Sequence, residues 1–253
     1  MPVIARCPAF FLRASPARNT FRNCTGLHCC FRFVEGTNVS APGLLERLSQ
    51  LAVIPVLRLA TRDAAEQAIA CLLDAGFRTV ELTLTTPDAV ALIHDLRRRA
   101  GDDFLVGAGT VLDLETAQRC LDAGADYLVS PCLVCGMALL ARNAGRAALI
   151  GGFTPGEVLA AWREGASIVK VFPAATGGPA HLQAIHAVFP EIPLCPTGGV
   201  SDANLLEYFK AGARMVGVGN NIIDQKALAA GDRTRVIAHA RSFLELAAQA
   251  RAR

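Results

Sequence analysis

The sequence predicts an α/β chain folded as a single-domain (β/α)8, or TIM, barrel, and three observations predict it. A strand followed by an amphipathic helix recurs roughly every 20–26 residues from Leu44 onward. Several helical segments close on glycine, at Ala75–Gly76, Ala123–Gly124, Glu164–Gly165 and Ala211–Gly212, where a left-handed residue ends a helix before the next strand. The chain has 253 residues, a usual length for one barrel of eight such units.

The elements follow in order. A leading helix, Leu44 to Leu51, covers the barrel floor. Strand one is VIPVL (Val53–Leu57), an apolar run suited to a strand buried on both faces. Arg58 follows it; this is either a fork for a substrate carboxylate or an ordinary surface arginine. The next segment carries Ala64, Ala68, Leu72 and Leu73 at helical spacing. Strand two, TVELTL (Thr79–Leu84), places Glu81 on one face with Thr79 and Thr83. A carboxylate inside a barrel is costly without partners. Glu81 is therefore either a structural group bonded to neighbouring hydroxyls and a basic residue, or a working acid–base group.

Strand three, FLVGAGT (Phe104–Thr110), ends with Thr110 at the mouth, and Gly107 and Gly109 let a substrate approach the backbone. Strand four is YLVSP (Tyr127–Pro131). The Cys132-Leu-Val-Cys135 pair after it has no second cysteine or histidine pair at a matching strand end, so no metal site is expected. Strand five is ALIGGF (Ala148–Phe153).

Strand six, SIVKVFP (Ser167–Pro173), carries a lysine in an apolar run. Of the 25 lysines and arginines only Lys170, Lys210 and Lys226 are lysines. A guanidinium stays protonated, whereas a desolvated amine gives up its proton and becomes a nucleophile. The alternative is a lumen ion pair with Glu81. Strands seven and eight, IPLCPTGG (Ile192–Gly199) and MVGVGN (Met215–Asn220), end in Gly198–Gly199 and Gly217–Gly219, whose N–H groups suit a phosphate cradle. Ser201 or Asp202 is expected to cap the helix after strand seven. A final helix, Arg233 to Ala250, completes the ring.

Composition excludes several classes. Hydrophobic residues make up 52% and charged residues 19%, as in a chain with a large core. A net charge of +3 without a basic, aromatic-laced stripe argues against nucleic acid. No apolar run reaches the roughly 18 residues of a membrane span. Nine scattered cysteines, an odd number, read as free thiols in a reducing compartment. Residues 1–40 differ from the rest: Arg6, Arg13, Arg18, Arg22 and Arg32 precede the first acidic residue, Glu35. This stretch reads as a poorly ordered extension: translation from an upstream start, a transit peptide, or a structured addition. The barrel then spans 41–253, and a start-site origin implies a cytoplasmic protein.

VELTLTTPDA, VGAGTV, YLVSP, IVKVFPA, CPTGGV and VGVGN, in that order, resemble the 2-keto-3-deoxy-6-phosphogluconate (KDPG) and 4-hydroxy-2-oxoglutarate (KHG) aldolase family from about Leu44 to the carboxyl end. The resemblance implies a class I aldolase with no metal and no cofactor, assembled as a homotrimer. It implies Lys170 as the Schiff-base lysine and Glu81 as the proton shuttle. It places Thr110, Pro131 and Phe172 at the pyruvate half, and Arg58 at the substrate carboxylate. Thr197, Gly198, Gly199 and Gly219 match the phosphate cradle. Thr85, expected among the substrate-binding residues, stands where some members have arginine and others threonine. Asn220, expected among the phosphate-binding residues, stands where a serine is frequent. The implied reaction cleaves a 2-keto-3-deoxy sugar acid phosphate, KDPG, to pyruvate and glyceraldehyde 3-phosphate. The galactonate epimer and unphosphorylated KHG are alternative substrates. An isomerase or epimerase barrel, or a non-catalytic sugar-phosphate binder, are the alternative classes.

Overall fold

Eight short apolar runs form the strands β1 (Val53–Leu57), β2 (Thr79–Thr83), β3 (Leu105–Gly109), β4 (Tyr127–Val129), β5 (Ala147–Gly152), β6 (Ile168–Val171), β7 (Leu194–Pro196) and β8 (Val216–Val218). The computed structural model describes residues 43–252. The extension expected over residues 1–40 lies outside the described residues. The strands are parallel, in the order β7-β6-β5-β4-β3-β2-β1-β8. The seam is closed by single bridges, Leu194 to Ala213 and Thr197 to Gly217. The helices are α1 (Leu44–Gln50), α2 (Arg62–Ala75), α3 (Ala89–Arg99), α4 (Leu114–Asp122), α5 (Met137–Asn143), α6 (Pro155–Arg163), α7 (Ala174–Val188), α8 (Leu205–Lys210), α9 (Gln225–Ala229) and α10 (Arg233–Arg251). The predicted (β/α)8 barrel is the observed fold.

Alternation along the strands sorts the side chains into two cores. Val80, Leu82, Val106, Leu128, Ile150, Val169 and Val171 pack outward against the helices. Ile54, Val56, Leu105, Tyr127, Leu149 and Ile168 fill the lumen, and Leu44 and Leu48 of α1 join them as the floor. With Val80 and Leu82 turned outward, Thr79, Glu81 and Thr83 point into the lumen. By the same alternation Lys170, between Val169 and Val171, points inward.

The four helix-closing glycines all adopt positive φ, as the sequence predicts. Several strands stop short of their predicted carboxyl ends. Thr110 (φ 61°), Gly198 (φ 89°) and Gly199 (φ 87°) leave the extended region and turn the chain into the mouth loops. Neither Ser201 nor Asp202 caps α8. Asn204 is its N-cap, and the Asn204 side chain instead accepts from the Ser201 N–H at 2.8 Å. The short segment Asn220–Ile222 and α9 lengthen the loop after β8.

Candidate active site

The lumen above the apolar floor holds two opposed charges. The Lys170 Nζ lies 3.7 Å from Glu81 Oε1, and the side chains are 6% and 3% exposed. That separation is an ion pair but not a hydrogen bond. Glu81 Oε1 is buried and has no hydrogen-bond partner among the described residues.

The flanking hydroxyls explain this orphan. Thr79 Oγ1 donates to the Leu105 carbonyl at 2.9 Å and takes a bond from the Tyr127 hydroxyl at 2.8 Å. Thr83 Oγ1 donates to the Leu57 carbonyl at 2.9 Å. Each hydroxyl has one proton, and both are committed to backbone carbonyls. Of the structural alternative for Glu81, the neighbouring hydroxyls are turned elsewhere, whereas the basic residue, Lys170, does stand beside the carboxylate as an ion pair. A buried acceptor without a donor is unfavourable and suits a site that receives a donor from water or ligand.

The walls fit the same purpose. A Cβ at Gly109 would stand 2.7 Å from Glu81 Cδ, so glycine is what leaves room for the carboxylate. Tyr127 closes the lumen beneath, and burial drives its phenol well above the ordinary range. Cys195 pairs in register with Lys170, and burial pushes its thiol up to about 12. It therefore stays a neutral neighbour of the amine at ordinary pH. The Phe172 ring centroid lies 5.4 Å from Lys170 Nζ.

The remaining predicted residues stand around the mouth. Arg58 and Thr85 are exposed, and Thr110, Pro131 and Phe172 are half-buried. Arg58 continues β1, which pairs with both β2 and β8, so it stands between those two strand ends. The Pro131 carbonyl packs against Gly151, the register partner of Lys170, which brings the loop after β4 beside the lysine strand. Thr85 Oγ1 lies 2.9 Å from Thr83 Oγ1. Among the described residues neither Arg58 nor Thr110 makes a side-chain hydrogen bond or ion pair to Lys170 or Glu81.

The residues of the expected cradle lie on β7, β8 and the loops after them. Thr197 is 5% exposed, and its hydroxyl bonds to the Cys195 carbonyl at 3.4 Å. The Thr197 and Gly198 carbonyls accept from Ala174 N and Ala175 N, both at 2.8 Å. Asn204 Nδ2 donates to the Gly199 carbonyl at 3.0 Å, and Asn221 Nδ2 donates to the Val200 carbonyl at 2.9 Å, linking the two loops. The loop carbonyls are thus occupied. The Gly199 N–H has no acceptor among the described residues, a state that favours an anion. Gly219 is half-buried and Asn220 exposed beside them.

Sequence reasoning missed Tyr127, Cys195, Asn204 and Asn221 as builders of the site. Tyr127 and Cys195 each sit at the inward phase of a strand, which was a usable signal. The asparagines act on backbone carbonyls across loops, and spacing does not reveal such links. The exposed Cys132 and Cys135 gather no third ligand: among the described residues no three His, Cys, Asp or Glu side chains cluster as metal ligands. No helix among the described residues is long and apolar enough to cross a membrane.

Comparison with known proteins gives concordant matches. A family model described as KDPG and KHG aldolase matches residues 44–239. A probable 2-dehydro-3-deoxy-6-phosphogalactonate aldolase of Rhizobium meliloti is 37% identical, over 74% of this chain and 88% of that protein. A KHG/KDPG aldolase of Escherichia coli is 34% identical, over 76% of this chain and 91% of its own. The solved structure of KDPG aldolase from Legionella pneumophila, with pyruvate captured as a covalent carbinolamine, superposes with a TM-score of 0.72 at 27% identity, covering 79% of this chain and 97% of that one.

Proposed function

The chain belongs to the KDPG and KHG aldolase family, a family of carbon–carbon lyases, and we propose that it is a class I aldolase acting on 2-keto-3-deoxy-6-phosphogluconate. The observation that carries this reading is the Lys170 amine held 3.7 Å from an otherwise unpartnered, buried Glu81 oxygen. The free amine of Lys170 attacks the C2 ketone, and loss of water leaves a protonated imine. Glu81 takes the proton of the C4 hydroxyl, directly or through a water, as the C3–C4 bond breaks and its electrons flow into the imine. Glyceraldehyde 3-phosphate departs. The enamine left on Lys170 takes a proton at C3, and hydrolysis of the imine releases pyruvate and restores the amine.

The mouth residues divide between the two ends of the substrate. Arg58 holds the carboxylate, with Thr110, Pro131 and Phe172 around the pyruvate portion. Thr197, Gly198, Gly199, Gly219 and Asn220 receive the phosphate, through backbone N–H groups and the Asn220 amide. Borohydride reduction in the presence of pyruvate should leave a three-carbon adduct on the Lys170 peptide. An unmodified peptide would reject the Schiff-base mechanism.

The epimeric galactonate substrate is the second reading, favoured by the 37% identity to the Rhizobium meliloti relative. Cleavage rates on the two epimers and on unphosphorylated KHG decide among the three. The homotrimer implied by the family has a candidate face in the exposed Leu112, Leu114, Leu133 and Leu139, on segments following β3 and β4. Sedimentation of Leu133→Glu as a smaller species than the parent supports that face; an unchanged assembly removes it.

A further inference from the structure

Thr85 stands in the turn after β2, and its hydroxyl has a polarity set by its neighbours. Thr83 Oγ1 is 2.9 Å from the Leu57 carbonyl, which can only accept, so the single Thr83 proton is committed there. Thr85 Oγ1 is 2.9 Å from Thr83 Oγ1. With the Thr83 proton committed, Thr85 must donate that bond. The Thr85 oxygen is left with lone pairs alone, and Thr85 is exposed to the mouth. Each bond in such a chain polarises the next, which makes the outermost oxygen a better acceptor. It repels a carboxylate or phosphate oxygen and attracts a hydroxyl proton. Thr86 differs, because its buried hydroxyl accepts from the Leu59 N–H at 3.2 Å.

We infer that Thr85 is a specificity-determining residue that accepts a hydrogen bond from a hydroxyl of the aldehyde-derived half of the substrate, and that the substrate carboxylate is not held there. This rests on the aldolase reading and deepens it. Thr85 stands in the turn just beyond β2, bonded to the inward Thr83. The substrate has two hydroxyls, and with the one at C4 serving Glu81, the one left for Thr85 is that at C5.

The test runs the reaction in the condensing direction. Pyruvate is offered with D-glyceraldehyde 3-phosphate or with 3-phosphooxypropanal, the same aldehyde without its hydroxyl. The parent protein should favour the hydroxylated aldehyde in kcat/KM by about tenfold, the size of one hydrogen bond. Thr85→Val should lose that preference while the KM for pyruvate and the borohydride adduct at Lys170 persist. Thr85→Ser should restore the preference. Thr83→Val frees the Thr85 proton and should weaken the preference. A Thr85→Val protein that instead raises the pyruvate KM, or slows both aldehydes equally, overturns the inference, because Thr85 then serves the carboxylate or only the structure. Failure of the parent protein to form the pyruvate adduct is a separate result: it overturns the aldolase reading and this inference with it.

Discussion

Asp126 and Glu81 are buried to nearly the same extent, 5% and 3% exposed, and each faces a cation. Asp126, just before β4, receives Arg146 at 2.6 Å, Arg97 at 3.1 Å and the Val106 N–H at 2.9 Å. Arg97 is anchored in turn to the carbonyls of Phe104, Ala100 and Gly101. Glu81 faces Lys170 at a distance too long for a hydrogen bond, and its Oε1 is left open. Burial and an opposite charge therefore do not distinguish the two carboxylates; an unfilled acceptor does. Asp126 stabilises the fold because nothing remains for it to bind. Glu81 carries a local cost at its open acceptor, and in the proposed mechanism a substrate hydroxyl or water fills that position.

The largest effect expected from this contrast is on the lysine that faces Glu81. Lys170→Arg keeps a positive charge there but removes the nucleophile of the proposed mechanism, since guanidinium does not lose its proton. Turnover measured by pyruvate release should vanish while circular dichroism and the melting transition persist. Retained turnover would break the whole contrast.

The two carboxylates themselves should then respond in opposite ways. Glu81→Gln should lower kcat by about 10²–10⁴, the usual worth of a positioned acid–base group, without lowering the urea midpoint. Asp126→Asn should leave kcat per folded molecule near the parent value and cost about 2–4 kcal/mol in urea unfolding. That figure sits below the fully buried range because Arg97 and Arg146 are 20% and 35% exposed. Equal responses from the two variants would mean that the open acceptor has no functional meaning.

Gly109→Ala sharpens the same point at smaller size. Its Cβ would come to 2.7 Å from Glu81 Cδ and displace the carboxylate by a fraction of an ångström. A drop in kcat of about tenfold to a hundredfold is expected, because misplacement of the acid–base group degrades the reacting geometry. Pyruvate adduct formation at Lys170 should be affected less than complete turnover.

The inward phase of Glu81 and Lys170 was legible in the sequence, because strand alternation and the eightfold repeat are local patterns. The helix-closing glycines were legible for the same reason. What the two threonines do was not. Their acceptors, Leu57 and Leu105, sit on neighbouring strands, and only the strand register decides whether a hydroxyl turns toward Glu81 or away from it. The strand ends were overextended in sequence, since Thr110 adopts a left-handed φ that a β-branched residue seldom takes. The cap of α8 was misplaced because Asn204 answers a turn formed by Ser201, three residues earlier.

A third carboxylate sets the lower end of the scale. Glu157 accepts from the Thr154 and Phe153 N–H groups at 2.8 and 3.0 Å and from the Thr154 hydroxyl at 3.1 Å, in the capping box that opens α6. It resembles Asp126 in being satisfied, but it stands at the surface. Those bonds, led by the Thr154 N–H, hold its carboxyl below its ordinary value of 4.5. A depressed folded-state value means that the unfolded chain binds the proton more readily. The stabilisation is therefore fully present above the ordinary glutamate range and is lost as pH falls through the folded-state value. Glu157→Gln should lower the urea midpoint at pH 7 by much less than Asp126→Asn does, and the gap from the parent should shrink toward zero in acid. A gap that stayed constant with pH would show that the carboxylate charge contributes nothing there, and that the capping bonds are served equally well by a neutral amide.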